Sequence, residues 1–203
     1  MQITDYQKLY QQYVARYSDS FIRVRIDLDY INRINEYVKN SPLIKRKQEE
    51  IHHQKDHNHE YKRHVTGLLG EAAIEKLFDI KIIDWSIGPS QNYNRPDIPH
   101  YNLGVKTSEK WNFPVVFKKN YYPQIICIRN VDSKHPAYND VIFVCGLATA
   151  EVLNKYQSES LIKSPSLRAR HVKAGFYGFS ELIKVSNLED IASYLKDKGD
   201  APS

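Results

Sequence analysis

The chain has 203 residues, of which 41% are hydrophobic and 26% charged, with a formal charge of +5 and a pI of about 9.0. This is the composition of a globular protein of one α/β domain, with or without a helical extension, and it excludes a fibrous or disordered chain. No apolar run approaches the ~18 residues of a membrane span, and the basic balance permits a polyanionic partner without demanding one.

The polar start Met1-Gln2-Ile3-Thr4-Asp5 carries no secretory apolar region. Residues 4–18 place Tyr6, Leu9, Tyr10, Tyr13, Val14 and Tyr17 at helical spacing, which predicts an amphipathic helix. A second helix is expected from Asp27 to Val38, ended by Ser41-Pro42. Residues 43–64 are almost continuously polar and read as an exposed helix or an arm. They include Lys45-Arg46-Lys47 and the histidines His52, His53, His57, His59 and His64. His53 with His57, and Glu60 with His64, have the i, i+4 spacing that binds zinc on a helix. A solvated polar face is the better reading, since no cysteine or strict zinc pattern accompanies them.

From His64 to Phe78 apolar residues surround the axis, which predicts a buried helix. Gly67 and Gly70 cost it roughly 1 kcal/mol each against alanine, so both are expected to mark close approach of another element. Glu71 lies on this helix and needs a cation, a metal or donors there. Strands are then expected at 81–85, 95–98, 102–107, 124–128 and 140–145, the last apolar throughout and therefore central. Thr149 caps a helix to Tyr156, residues 157–172 form a basic loop, residues 174–179 form a last strand, and Leu188–Leu195 is a closing helix. Cys127 and Cys145 lie in apolar runs, as buried reduced thiols of a cytoplasmic protein would. The fifteen tyrosines suit either base stacking or a core with a wet edge.

The segment Arg95-Pro96-Asp97 to Gly104-Val105-Lys106-Thr107-Ser108 reads as two extended pieces joined by a turn. An aspartate opens the first and a lysine follows nine positions later in the second. A carboxylate and an ammonium on neighbouring strands form a site able to hold a divalent metal and a water beside a phosphate. The residues also have plainer readings: Asp97 as a turn residue, Lys106 as an edge-strand charge, and Glu71 as the partner of a basic side chain.

Glu71 in Gly70-Glu71-Ala72, Pro96-Asp97 and Val105-Lys106, in that order, resemble the PD-(D/E)xK nuclease superfamily over roughly residues 65 to 180. The resemblance implies an α/β (α+β) chain, with a restriction-endonuclease-like mixed β-sheet flanked by helices. Residues 1–64 would be an N-terminal helical extension for substrate or homodimer contacts, and 65–203 the nuclease-like domain. It implies a DNA endonuclease or exonuclease dependent on Mg2+ or Mn2+, with Glu71, Asp97 and Lys106 catalytic. Asp97, Glu71 and the Val105 carbonyl would hold the metal. Lys45, Arg46, Lys47, Arg95, Arg168, Arg170 and Lys173 are the candidate contacts to DNA. The departure is Gly104, where the pattern expects an acid. Strand alternation puts 104 and 106 on one face, and glycine is expected to leave the acid's space open. Glu71 is the candidate replacement. The alternative is a catalytically impaired nuclease fold that serves as a DNA-binding or assembly module.

Overall fold

The computed structural model describes residues 5–41, 54–85, 96–131 and 140–197, without the side chains of 54–59, 192 and 194–197. Two helices open the chain: α1 (Asp5–Tyr13), followed by a 3-10 turn over Ala15–Ser20, and α2 (Leu28–Asn40). Between them lies β1 (Ile22–Arg25), which the helical reading of the first third passed over. Its signal was the alternation Ile22-Arg23-Val24-Arg25, with Val24 buried and both arginines exposed.

Helix α3 (Gln54–Phe78) is continuous, so the division at residue 64 falls inside it. The helix turns from polar to buried along its length, with Val65, Leu69, Ala72, Ala73 and Ile74 almost fully enclosed. The remaining elements are β2 (Gly104–Glu109), β3 (Val115–Phe117), β4 (Gln124–Arg129), β5 (Val141–Ala148) and α4 (Ala150–Lys155). They are followed by β6 (Gln157–Ser158), α5 (Pro165–Arg168), β7 (Lys173–Phe176) and α6 (Leu188–Asp197). Thr149 caps α4 as expected, accepting the Val152 N–H at 3.2 Å. The expected basic loop at 157–172 instead contains β6, a 3-10 turn and α5.

The main sheet has the order β1-β5-β4-β2. Its β2–β4 pair is parallel and the other two pairs are antiparallel, so the sheet is mixed. Apolar β5 is central, as its composition predicts. Helices α2, α3 and α6 cover one face, where Ile34, Leu69, Ile74 and Ile191 meet Val24, Ile125, Ile142 and Val144. The other face packs Ile126, Ile128 and Cys145 against Tyr10, Phe113, Val116 and Phe176. The latter come from α1, from the segment before β3 (Phe113) and from a small antiparallel sheet of order β3-β7-β6. A bulge in the β4–β5 pairing at Ile126/Cys127 lets Leu147 rejoin the helix-covered face. Gly146 takes φ +143° there, and a side chain would meet the Ile183 carbonyl at 2.7 Å.

Two expected strands are not formed. Residues 81–85 are irregular: the N–H groups of Ile82 and Ile83 go to the Glu75 carboxylate at 2.7 and 3.0 Å rather than to a neighbouring strand. Before β2, Ile98 makes only an isolated bridge to Leu103. A 3-10 turn over Pro99–Tyr101 and a left-handed Asn102 (φ 51°) join the two. Both cysteines are free and buried. Among the described residues no helix is long and apolar enough to cross a membrane.

Candidate functional site

β2 is an edge strand of the main sheet, and its start is where the candidate residues meet. The Gly104 N–H donates to Pro123 at 3.0 Å, on the β4 side. Alternation then turns the N–H and C=O of Val105 outward. The outward N–H donates to Asp97 Oδ2 at 2.6 Å. The turn through Asn102 thus folds Pro96-Asp97 back so that the carboxylate sits against the strand edge, on the same side as the Val105 carbonyl.

Glu71 reaches this edge because α3 lies almost directly on β2. A side chain on Gly70 would overlap Thr107 Oγ1 at 1.7 Å, so only glycine allows the helix so close. Gly67 plays no such role, for nothing lies within 4 Å of the space beside it. Glu71 is half-buried. Burial pushes its carboxyl up to about 8, and the charges of Asp97 and Glu75 add to the rise. Among the described residues no hydrogen-bond donor or cation offsets that charge, so the reading of Glu71 as the partner of a basic side chain is not supported there. Burial also raises Asp97, against the Val105 N–H and the Lys106 charge, which lower it. Lys106 is pushed down to about 8 by burial and then by Lys173, while Asp97 pulls the other way.

Two carboxylates and one outward carbonyl form a small, hard oxygen set. It suits magnesium, which takes one or two carboxylates and keeps waters or phosphate oxygens for the rest. It does not suit a full protein cage: among the described residues no three His, Cys, Asp or Glu side chains cluster for a metal. The Glu60 and His64 pair closes on itself at 3.4 Å, and Arg63 binds the same Glu60 carboxylate. His53 lies outside the described residues, as does the His57 side chain.

The structure corrects the expectation for Gly104. The space beside it is not open: a Cβ would stand 2.8 Å from the Tyr122 ring, 3.3 Å from Gln124 and 3.6 Å from Asp97 Oδ2. An acid at 104 would point toward Asp97 only after displacing the Tyr122 ring. Asp97 in turn adds to the effect of burial in raising the Tyr122 phenol. Sequence reasoning passed over Tyr122 because only the β2–β4 register brings it beside Gly104.

Glu75, one turn after Glu71, has a different job. It accepts from Ile82, Ile83 and the Tyr30 hydroxyl. Burial works against its charge, but these three bonds hold the carboxyl below its ordinary value. Glu75→Ala is expected to leave them unmet and cost about 3 kcal/mol in urea unfolding. A loss under ~1 kcal/mol would show that the carboxylate is not the anchor of residues 81–85.

Of the candidate basic residues, Lys173 on β7 comes close enough to bear on Lys106, and Arg170 bears on Lys173. Arg63 of α3 acts on both lysines. Arg168 ends α5, exposed, with no tie to this cluster. Lys45, Arg46, Lys47 and Arg95 lie outside the described residues. A separate cleft of about 340 Å³, lined by Arg23, Arg25, Lys110, Asn130, Val141 and Phe143, sits toward the other end of the sheet. At ~3.3 Å per residue along β2 it lies roughly 17 Å from Val105. Comparison with family models, curated proteins and solved structures gives no match for the chain.

Proposed function

We propose that the chain is a divalent-metal-dependent nuclease of PD-(D/E)xK type that hydrolyses phosphodiester bonds in DNA. The carrying observation is the convergence of Glu71, Asp97 and the outward Val105 backbone at the start of β2, beside Lys106. Magnesium or manganese, when bound, supplies a Lewis acid for the phosphate and a more acidic water. Asp97 is held in place by the Val105 N–H and would supply the first carboxylate to a cation. Glu71 supplies the second carboxylate. Lys106 orients the attacking water and offsets charge on the phosphorane oxygens. The water oxygen bonds to phosphorus as the bond to the leaving sugar oxygen breaks. The water gives up a proton and the leaving oxygen takes one. Lys173, Arg170 and Arg63 surround this point with the positive charge that a phosphate backbone needs.

The test is cleavage of several DNA forms with magnesium or manganese, comparing wild type with Asp97→Ala. Wild type is expected to cut, and the variant to be slower by roughly a thousandfold or more. Equal rates, or none in either protein, remove the catalytic reading. DNA binding without cutting would favour the second reading, a binding module, for which the Tyr122 ring beside Gly104 is the supporting observation.

A further inference from the structure

The end of β3 and the loop to β4 group aromatic and basic residues: Phe117-Lys118-Lys119-Asn120-Tyr121-Tyr122. Phe117 and Tyr121 are 46% and 75% exposed, unusual for rings of this size. Each carries an ammonium: Lys173 over Phe117 at 4.8 Å and Lys119 over Tyr121 at 5.2 Å. The loop ends beside the carboxylate site, where Tyr122 stands against Gly104 and Asp97, and Lys173 of β7 links its first ring to Lys106.

The loop is pinned from beneath. Asn120 is 6% exposed. Its backbone N–H donates to Asn154 Oδ1 at 2.8 Å, and Asn154 Nδ2 donates back to the Asn120 carbonyl at 3.1 Å. The Asn120 side chain donates to the Phe117 carbonyl at 2.6 Å, and Gln157 donates to the Lys118 carbonyl at 3.0 Å. Lys118 is committed to Glu159. The backbone that carries the two exposed rings is therefore set before any ligand arrives, which removes part of the ordering cost of binding.

We infer that this loop is a stacking platform for unpaired nucleotides, so that the substrate of the neighbouring site carries a single-stranded segment. The inference rests on the nuclease reading for its substrate, but not for its geometry. Duplex bases are stacked inside the helix and offer no face to Phe117 or Tyr121, whereas unpaired bases do. The flexible lysine stems let each ammonium move from its ring to a phosphate as a base takes its place.

The test measures binding with chelator present, so that cleavage plays no part. Labelled oligothymidylate, oligouridylate and a blunt DNA duplex are titrated with the full chain. Wild type and Asp97→Ala are expected to bind oligothymidylate more tightly than duplex. Phe117→Ala/Tyr121→Ala should weaken single-strand binding by roughly tenfold or more, and duplex binding by less than about twofold. Phe117→Tyr/Tyr121→Phe should retain the wild-type affinity. Thermal melts of both double variants close to wild type would show that the rings act on binding and not on folding. Tighter oligouridylate binding with the same ring dependence would place the unpaired strand as RNA. The inference is overturned if the alanine variant binds single strands like wild type. It is also overturned if the rings prove to hold a dimer that the alanine variant dissociates without loss of single-strand affinity. A ring effect without Asp97-dependent cutting keeps the platform and removes the nuclease. Asp97-dependent cutting without a ring effect does the reverse.

Discussion

Glu71→Gln is expected to make the metal-free protein melt higher than wild type at pH 8 while lowering metal-dependent cleavage by about a hundredfold or more. Burial and the charges of Asp97 and Glu75 push the Glu71 carboxyl up to about 8, whereas an unfolded glutamate titrates near ~4.3. The folded state therefore holds a proton that the unfolded state gives up. Any penalty is absent below the unfolded value, grows as pH rises, and is complete above about 8. Because Glu71 is only half-buried, we place the penalty on the order of 1–3 kcal/mol. Glutamine removes the charge and keeps the shape. In chelator the wild-type melting temperature should fall from pH 5 to pH 8 more steeply than that of the variant. Added magnesium should restore the wild type and raise the variant, which keeps Asp97 and the Val105 carbonyl, by less. Identical melting curves at pH 8 would mean that Glu71 carries no strained charge.

This stored repulsion accounts for how much of the site was legible in the sequence. Glu71, Asp97 and Lys106 stand out because their surroundings are local. A carboxylate in an apolar helix, an aspartate after proline and a lysine inside a short strand each lack a neighbour in the chain to explain them. Arg63, Tyr122 and Lys173 reach the same place only through tertiary pairing. Gly104 shows the limit most clearly. Its emptiness in sequence suggested a vacancy, but the residue filling that space arrives from the turn before β4. The fold follows the same division. The apolar run of β5 and the enclosed half of α3 declare themselves by period and composition. Lys81-Ile82-Ile83 has the composition of a strand, and loses that fate to a carboxylate one turn before the end of α3. Both Gly67 and Gly70 looked like marks of close packing, and only contact geometry separates them.

Gly70→Ala should destabilise the protein by about 2–3 kcal/mol, although alanine is the better helix former by ~1 kcal/mol. The new methyl would lie 1.7 Å from Thr107 Oγ1, 2.8 Å from Thr107 Cβ and 3.1 Å from Thr107 Cγ2. Rotating Thr107 can relieve the first of these overlaps but leaves the second and keeps a heavy atom at the third. Helix α3 must then move off β2, and Glu71, the next residue, moves away from Asp97. Cleavage should accordingly fall by roughly tenfold to a hundredfold, beyond what instability explains. Gly67→Ala is the control on the same helix. With open space beside it, that change should gain about 0.5–1 kcal/mol. Thr107→Ala supplies the partner for a double-mutant cycle. Its Oγ1 is buried without a hydrogen bond, so its removal alone should be close to neutral. Combined with Gly70→Ala it removes the 1.7 and 3.1 Å overlaps, and should recover more than ~1 kcal/mol of the loss. Urea unfolding of the four proteins measures this coupling. Additive losses would mean that α3 and β2 are not held in contact at Gly70, and the placement of Glu71 beside Asp97 would fall with that contact.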